Sequence, residues 1–278
     1  MNIKLFQLCY KKEMIDNVKD GFIPWDNTIN LNPELREYPI FKKVYNDVNN
    51  DLKYWGVVSN KFTEKTNITG FDFIKWIENL PFNEDANCYF INPCPIMECL
   101  FYNVVNHGEY WHKGIGNLMQ RTLTVMGYTS DLATMLTESN RFSMCNYFVG
   151  DKYFWSNYLS FVDEFLRVID KNSHDKELMY CQSAEYNRDK TLAFYPFVIE
   201  RLFSVFLCLK AYSMHVKNYE YSIEELIKKY NITEHQAREI KALSAIKSAI
   251  RTNGNLKPHW EFLRNKFLIE NKEIFGKE

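Results

Sequence analysis

The sequence predicts an α/β fold, and three observations carry that expectation. An apolar, imperfectly alternating segment begins almost at residue 1, as the first buried strand of such a domain does. Short strand-like runs, polar loops and amphipathic helices then succeed one another through the first half of the chain. The breaks between them are dense in Asn, Pro and Gly, the residues that end regular structure.

In chain order, residues 3–10 (IKLFQLCY) form the first expected strand, and a polar, turn-rich piece containing Gly21, Pro24, Asp26, Asn27 and Pro33 follows. Residues 52–59 (LKYWGVVS) are a second strand ending in polar Asn60, Lys61 and Lys65. Thr69-Gly70-Phe71-Asp72 has a capping-box pattern, and Phe71, Ile74, Trp76 and Ile77 set an apolar stripe on the helix it opens. Residues 87–92 give a third short strand, halted at Asn92-Pro93-Cys94-Pro95, with a helix expected from 96 to about 106. Beyond residue 113 the chain turns helix-rich, with a strand at 144–149, an amphipathic helix over 152–170 and a core helix over 196–210.

Composition bounds the function. With 278 residues, 46% hydrophobic and 16% aromatic, the chain can bury a large core and is not disordered. Lys+Arg 34 against Asp+Glu 35 leaves a net charge of −1, so no global field draws nucleic acid to it. Seven cysteines with no Cys-x-x-Cys pair read as reduced, mostly buried thiols of a cytoplasmic protein. The short apolar piece between Lys4 and Lys11 is too brief for a signal-peptide core, and no run approaches the roughly 18 residues needed to span a bilayer. The expected place is the cytoplasm, either free in it or peripheral on the inner membrane.

From Tyr221 the character changes. Ser222-Ile223-Glu224-Glu225 and Thr233-Glu234-His235-Gln236 are both capping boxes, spaced as in a helix-turn-helix. Residues 221–278 hold 11 Lys and Arg against 8 Glu, too small an excess for a module that must neutralise many phosphates. We therefore expect domains 1–220 and 221–278, the second a helical C-terminal appendage, with nucleic-acid regulation as the alternative.

The chemistry concentrates in two places. Glu200-Arg201 interrupts the apolar run 194–207, and burying such a pair costs several kcal/mol per ion unless each finds a partner. It is either an internal clamp or part of a site. In open α/β sheets, ligands sit at the carboxyl ends of strands, which groups Tyr10, Ser59 to Lys65 and Asn92 to Pro95 in one neighbourhood.

Three segments together resemble a group of bacterial capsular and lipopolysaccharide glycosyltransferases with a GT-A-like fold. Tyr54-Trp55-Gly56-Val57-Val58-Ser59-Asn60-Lys61-Phe62 is similar to their Tyr-x-Gly-x-x-His-Tyr-Arg-Arg-Phe stretch. Asn146-Tyr147-Phe148-Val149, with the helix after it, is similar to their Asn-x-Phe-Ile segment, and Ile199-Glu200-Arg201-Leu202-Phe203 resembles their Ser-Glu-Arg-Leu-Phe helix. Phe22-Ile23-Pro24-Trp25-Asp26 is shared with polysaccharide-locus proteins of the same kind. The resemblance covers about residues 1–210 and implies a GT-A-like mixed sheet flanked by helices, and transfer of a sugar from a nucleotide-sugar donor to a saccharide or glycolipid acceptor of a surface polysaccharide. Where the family has His-Tyr-Arg, this chain has Ser59-Asn60-Lys61, so a bidentate guanidinium clamp becomes a single ammonium. A homologue that keeps the fold and has lost transfer is a further alternative.

On this reading the donor meets Tyr10, Asp26, Asn27, Ser59, Lys61, Lys65 and Asn92. The chain has no Asp-x-Asp, and the neutral groups at Asn92-Pro93-Cys94-Pro95 are poor ligands for a hard cation, so the expectation is metal-independent transfer with Lys61 and Lys65 near the phosphates, a divalent ion remaining open. Asn106 to Gly114 contains His107, Glu109 and His112. Histidines five apart diverge on a helix, and Gly108 is expected to end it, so this reads either as a sugar-recognising acceptor loop, with Asn146 as a further acceptor contact, or as a helix C-cap and tight turn. Candidate bases for an inverting transfer are Glu200, Glu185 and Asp131.

Overall fold

The computed structural model describes residues 2–30, 35–48, 52–81, 86–181, 183–186, 190–210 and 212–275, with 183–186, 190–192 and 275 as backbone only. In chain order the elements are β1 (Ile3–Cys9), α1 (Lys12–Ile15), β2 (Ile23–Asp26), α2 (Tyr38–Asp47), β3 (Tyr54–Val58), α3 (Phe62–Thr66), α4 (Gly70–Glu78) and β4 (Cys88–Phe90). Next come α5 (Pro95–Leu100), α6 (Val104–Trp111), α7 (Ile115–Val125), β5 (Phe148–Gly150), α8 (Lys152–Lys171), α9 (Ser173–Tyr180), β6 (Ser183–Tyr186) and β7 (Lys190–Ala193). The chain closes with α10 (Tyr195–Leu209), β8 (Val216–Asn218), α11 (Ile223–Tyr230), α12 (Glu234–Ala249), α13 (Leu256–Glu270) and α14 (Lys272–Phe275). The protein is α/β, a six-stranded mixed sheet flanked by helices, in the order β2-β1-β3-β5-β4-β8, beside a small β6-β7 ribbon.

Strand direction decides where a site forms. β1 runs parallel to β2 and β3, β5 is antiparallel to both β3 and β4, and β4 is parallel to β8. The carboxyl ends of β1, β2, β3 and β4 therefore share one edge, and reversed β5 brings the residues that precede it, Cys145 to Tyr147, to that same edge. Gly56 makes the β3–β5 junction possible. A Cβ there would lie 2.2 Å from the Phe148 carbonyl oxygen, so only a glycine lets the two backbones approach.

Aromatic packing seats the flanking helices. Trp55 and Trp155 stack at 4.0 Å, and the Trp155 indole donates to the Trp55 carbonyl at 3.0 Å, tying α8 to β3. Phe148 stacks on Phe203 at 4.3 Å, which sets α10 against β5. A buried tryptophan or phenylalanine contributes a large apolar area, and such ring pairs add about 0.5–1.5 kcal/mol beyond it.

Several boundaries differ from the expectations. The turn-rich piece contains β2, held parallel on β1 and by the Phe6–Trp25 ring contact at 5.5 Å; Pro24 is tolerated because this is an edge strand. β8 also went unforeseen, since three half-buried residues carry no periodic signal. The expected helix over 96–106 is two helices. Asn103 caps the second by accepting from Asn106 N at 2.6 Å, and its amide donates to Leu132 O at 2.9 Å. Nor does Gly108 end that helix, which continues to Trp111 because the bare Gly108 Cα makes room for Arg201. The strand expected at 144–149 is confined to Phe148–Gly150, because Ser143 bonds both its backbone groups to Ser204 Oγ and draws the preceding residues off the ladder.

Both C-terminal capping boxes form, at Ser222/Glu225 and Thr233/Gln236. The helices after them join the same contiguous apolar core as the sheet. Lys247, fully buried, pairs with Glu98 at 2.9 Å and donates to the Phe101 carbonyl, while Ser139 and Ser244 donate to the Glu98 carboxylate at 3.0 and 2.7 Å. Trp260 donates to the Cys99 carbonyl at 3.1 Å. Among the described residues no helix is long and apolar enough to cross a membrane.

Candidate functional site

A cleft of about 580 Å³ opens along the carboxyl edge of the sheet, within the range of small-molecule sites. β1 delivers Tyr10 and β2 delivers Asn27, whose backbone N–H donates to the Cys9 carbonyl at 2.9 Å. The turn after β3 delivers Ser59, Lys61 and, one helical turn on, Lys65. The opposite wall is the start of α10, where Pro196, Ile199 and Glu200 fall at the three- and four-residue spacing of one helix face. A cleft thus lies at the edge the strand-end rule indicates, and the structure gathers Tyr10, Asn27, Ser59, Lys61, Lys65 and Glu200 in it.

Glu200 stands at the meeting of the cleft with a smaller notch of about 20 Å³, which it lines together with Glu37, Lys65 and Asn146. Its side chain keeps 34% of its surface, but that surface faces the concave wall of the cleft, so protein more than bulk water surrounds the carboxyl. Burial pushes Glu200 from the usual 4.5 up to about 7; Arg201 and then Lys65 pull the other way, and Glu37 adds to the rise. Glu37 is itself raised by burial. The Lys65 ammonium lies 3.6 Å from Cys145 Sγ and is raised above the usual lysine range, first by the charge Cys145 would carry as a thiolate, against the cost of burial, and then by Glu200; at neutral pH only the carboxyl side of that pull operates. Cys145 is pushed up to about 12 by burial, so it is a thiol at neutral pH, and an inert one.

Ser59 organises the β3–α3 turn. Its hydroxyl meets the Tyr147 hydroxyl at 2.9 Å and accepts from Lys61 N at 3.3 Å, joining the ends of β3 and β5. Burial raises Tyr147 well above the ordinary phenol, leaving a neutral hydroxyl. Lys61 is spent largely on the surface: it pairs with Glu64 at 2.6 Å with both side chains more than half exposed. Two amides at the site keep buried atoms without a partner, Asn27 Nδ2 and Asn146 Oδ1.

Other expected residues sit elsewhere. Asp26 is exposed and spends its carboxylate on Thr28, accepting from N at 2.9 Å and Oγ1 at 2.7 Å. Asn92 is on the right edge, but its side chain closes a turn onto Cys94, bonding both N and O at 3.1 Å, and it does not line the cleft. Asp131 caps its own exposed turn through Ala133 N and Thr134 Oγ1, each at 2.9 Å. The Glu185 side chain lies outside the described residues.

The loop expected at His107, Glu109 and His112 is instead helix and helix cap, away from the cleft. These residues belong to the end of α6 and line neither the cleft nor the notch. His107 is buried, 3.1 Å from Arg201 Nη2, and is lowered to about 2 by burial and then by that guanidinium, so it is neutral. Glu109 accepts from Gly114 N and Gly116 N, both at 2.9 Å, and caps α7. His112 stacks on Phe197 at 3.6 Å.

Arg36, Glu37, Tyr147 and Cys145 were missed. Arg36 lines the cleft mouth in a left-handed backbone conformation, φ 49°, unusual for a side chain of its size. Nothing in the local sequence marks it or Glu37, because their approach to Glu200 is long-range. Among the described residues no cluster of three or more His, Cys, Asp or Glu side chains is placed to hold a metal ion. No family model, curated protein or solved structure matches the chain.

Proposed function

We propose that the cleft is the active site of a sugar transferase that uses a nucleotide-sugar donor and a saccharide or glycolipid acceptor of a surface polysaccharide. The observation that carries this reading is Glu200, a carboxyl poised near neutrality in a strand-end cleft, facing a charged lysine. A general base works best when its pKa lies near the working pH, and Glu200 meets that condition while Asp131 does not reach the cleft. In an inverting transfer Glu200 takes the proton of the acceptor hydroxyl as that oxygen bonds to the anomeric carbon, and the bond to the nucleoside diphosphate breaks. Lys65, Arg36 and Lys61 line the same cleft and are the cations that would stabilise the departing negative charge. A GT-A-like fold belongs to this proposal, supported by the mixed sheet with its single reversed strand and by the three sequence segments, which contribute Ser59, Lys61, Asn146 and Glu200 to adjoining pockets.

The nucleic-acid alternative rests on α11 and α12, but α12 buries Ala237, Ile240, Leu243 and Lys247 against the domain, which leaves that helix with one cation fewer for phosphate. A thermal-shift series with UDP, GDP and CMP and their sugar conjugates tests the transferase reading. A selective rise in Tm with one nucleotide, followed by hydrolysis or transfer of its sugar, is expected; stabilisation by duplex DNA and by no nucleotide overturns it.

A further inference from the structure

Lys65 is held at its backbone by a part of the chain that never enters the cleft. It lines the cleft and the notch, while its carbonyl accepts a hydrogen bond from Lys229 Nζ in α11. The next carbonyl, that of Thr66, accepts from the Tyr221 hydroxyl at 3.0 Å in a buried contact. Neither Lys229 nor Tyr221 lines the cleft. Both lie beyond residue 220, in the segment that the sequence marks as an appendage, 164 and 155 positions from their partners.

The length of α3 explains why such bonds matter. A five-residue helix closes few internal hydrogen bonds, and the carbonyls of its last turn have no intrahelical partner. Asn67, left-handed at φ 59°, ends the helix and donates its N–H to the Thr63 carbonyl at 2.9 Å; the Thr66 hydroxyl donates to the Phe62 carbonyl at 2.8 Å. For Lys65 and Thr66 the donors come from α11 and the residue before its cap. A cation at that end also suits the helix carbonyl dipoles. The cleft holds the Lys65 ammonium weakly by comparison, since the Cys145 thiol at 3.6 Å is a poor acceptor.

The donors are themselves fixed. Ser222 and Glu225 close the capping box of α11, Tyr221 packs edge-on against Tyr219 at 5.4 Å, and Tyr219 against Trp76 of α4 at 5.4 Å. The Lys229 ammonium lies over the Tyr221 and Tyr230 rings at 5.9 and 5.2 Å, which keeps it at the end of α3. We propose that Lys229 and Tyr221 are positioning residues of the cleft: by capping α3 from outside, they set where Lys65 presents its ammonium to an anionic ligand. The C-terminal segment thereby belongs to the site without touching what binds there. This role rests on the transferase reading only for naming that anion as the diphosphate of a nucleotide.

NMR of the full chain labelled with carbon-13 at the lysine ε-methylenes tests this without any ligand. The Lys65 resonance is identified by its loss in Lys65→Arg. In Lys229→Met it should move toward the position of the exposed surface lysines, and Lys229→Arg, which keeps a cationic donor for the carbonyl, should restore it. Tyr221→Phe, which keeps the ring and removes one hydroxyl, should move it the same way. Amide exchange over residues 62–67 should quicken by about tenfold in Lys229→Met, the scale of one lost hydrogen bond, while β1 and α8 stay unchanged. Quickened exchange with an unmoved Lys65 resonance overturns the role of the residue replaced, because it marks a cap that stabilises and does not position. Movement that Lys229→Arg fails to restore overturns it too. If Tyr221→Phe fails to fold, the two variants at 229 decide alone. UDP, GDP and CMP are titrated into the wild type and Lys229→Met in parallel, and weaker binding to the variant, by about threefold to tenfold, is expected. A moved resonance with no nucleotide bound by the wild type would remove the transferase reading and leave the positioning role standing; a nucleotide that binds both proteins equally would remove the role and leave the reading.

Discussion

Glu200 and Arg201 are adjacent in sequence and separate in role. Arg201 Nη1 stands 3.9 Å from Glu200 Oε2, too far for a hydrogen bond, and donates instead to the Phe197 carbonyl at 2.7 Å, while Nη2 meets His107 at 3.1 Å. Successive helix residues point about 100° apart, so one side chain enters the cleft and the other the packed space against α6. Among the described residues, a fully buried ion-pair clamp lies elsewhere, at Lys247 and Glu98.

Glu200→Gln preserves shape and removes the ionisable group. Sugar transfer should fall by at least about a hundredfold, the scale of general-base catalysis, with Tm nearly unchanged at pH 7. Because the folded carboxyl is raised from 4.5 to about 7, the native state holds its proton more tightly than the unfolded chain, so wild-type stability declines as pH rises through that window. Water in the cleft reduces the effect to the order of 1 kcal/mol. Urea denaturation at pH 5 and pH 8 should show this slope in the wild type and lose it in Glu200→Gln. Wild-type transfer should conversely rise through pH 7 as the base ionises. Undiminished transfer by a folded Glu200→Gln variant sinks the assignment.

The two lysines should differ. Lys65→Ala removes a cation held beside the notch and should weaken nucleotide-sugar binding by about 1.5–3 kcal/mol, whereas Lys61, exposed and paired with Glu64, should change it by less than about 1 kcal/mol. Calorimetric titration ranks them. Binding should survive EDTA if cationic side chains carry the phosphate charge, and strict dependence on magnesium or manganese would contradict that.

Lys247→Met should leave the Glu98 carboxylate buried with two serine hydroxyls and no countercharge. Breaking such a pair costs about 3–5 kcal/mol, and Glu98→Gln combined with Lys247→Met should recover part of it. Chemical denaturation of the single and double variants reads both numbers. A loss below about 1 kcal/mol in the single variant would mean that the pair does not anchor α12.

Gly56→Ala places a methyl 2.2 Å from the Phe148 carbonyl oxygen, a backbone atom that cannot rotate away. β3 and β5 must separate, at a cost of about 1–3 kcal/mol. Since the cleft hangs on the ends of these two strands, weakened ligand binding should accompany the fall in Tm.

The sequence by itself determined what is local. The α/β class, β1, β3, β4, the long α8 and α10 and the capping boxes at Ser222 and Thr233 were legible, because periodicity and cap chemistry act within one or two turns; at Thr69 the helix start was legible too, but only the N-cap bond to Asp72 N forms and the reciprocal bond does not. The strand-end rule also located Tyr10, Ser59, Lys61 and Lys65, since a parallel strand delivers its following residue to a known edge, whereas Asn92 lies on that edge without lining the cleft and Asn27 is placed by β2, which no periodic signal announced. Tertiary structure decided the rest. Glu37 and Arg36 reach Glu200 across more than 160 positions of sequence, and no local pattern encodes that distance. The His107-Glu109-His112 cluster reads as a site until Arg201 fills the space above Gly108 and turns it into core. Which charged residue is a clamp and which is a reagent depends on burial and partners, quantities that exist only after distant segments have packed.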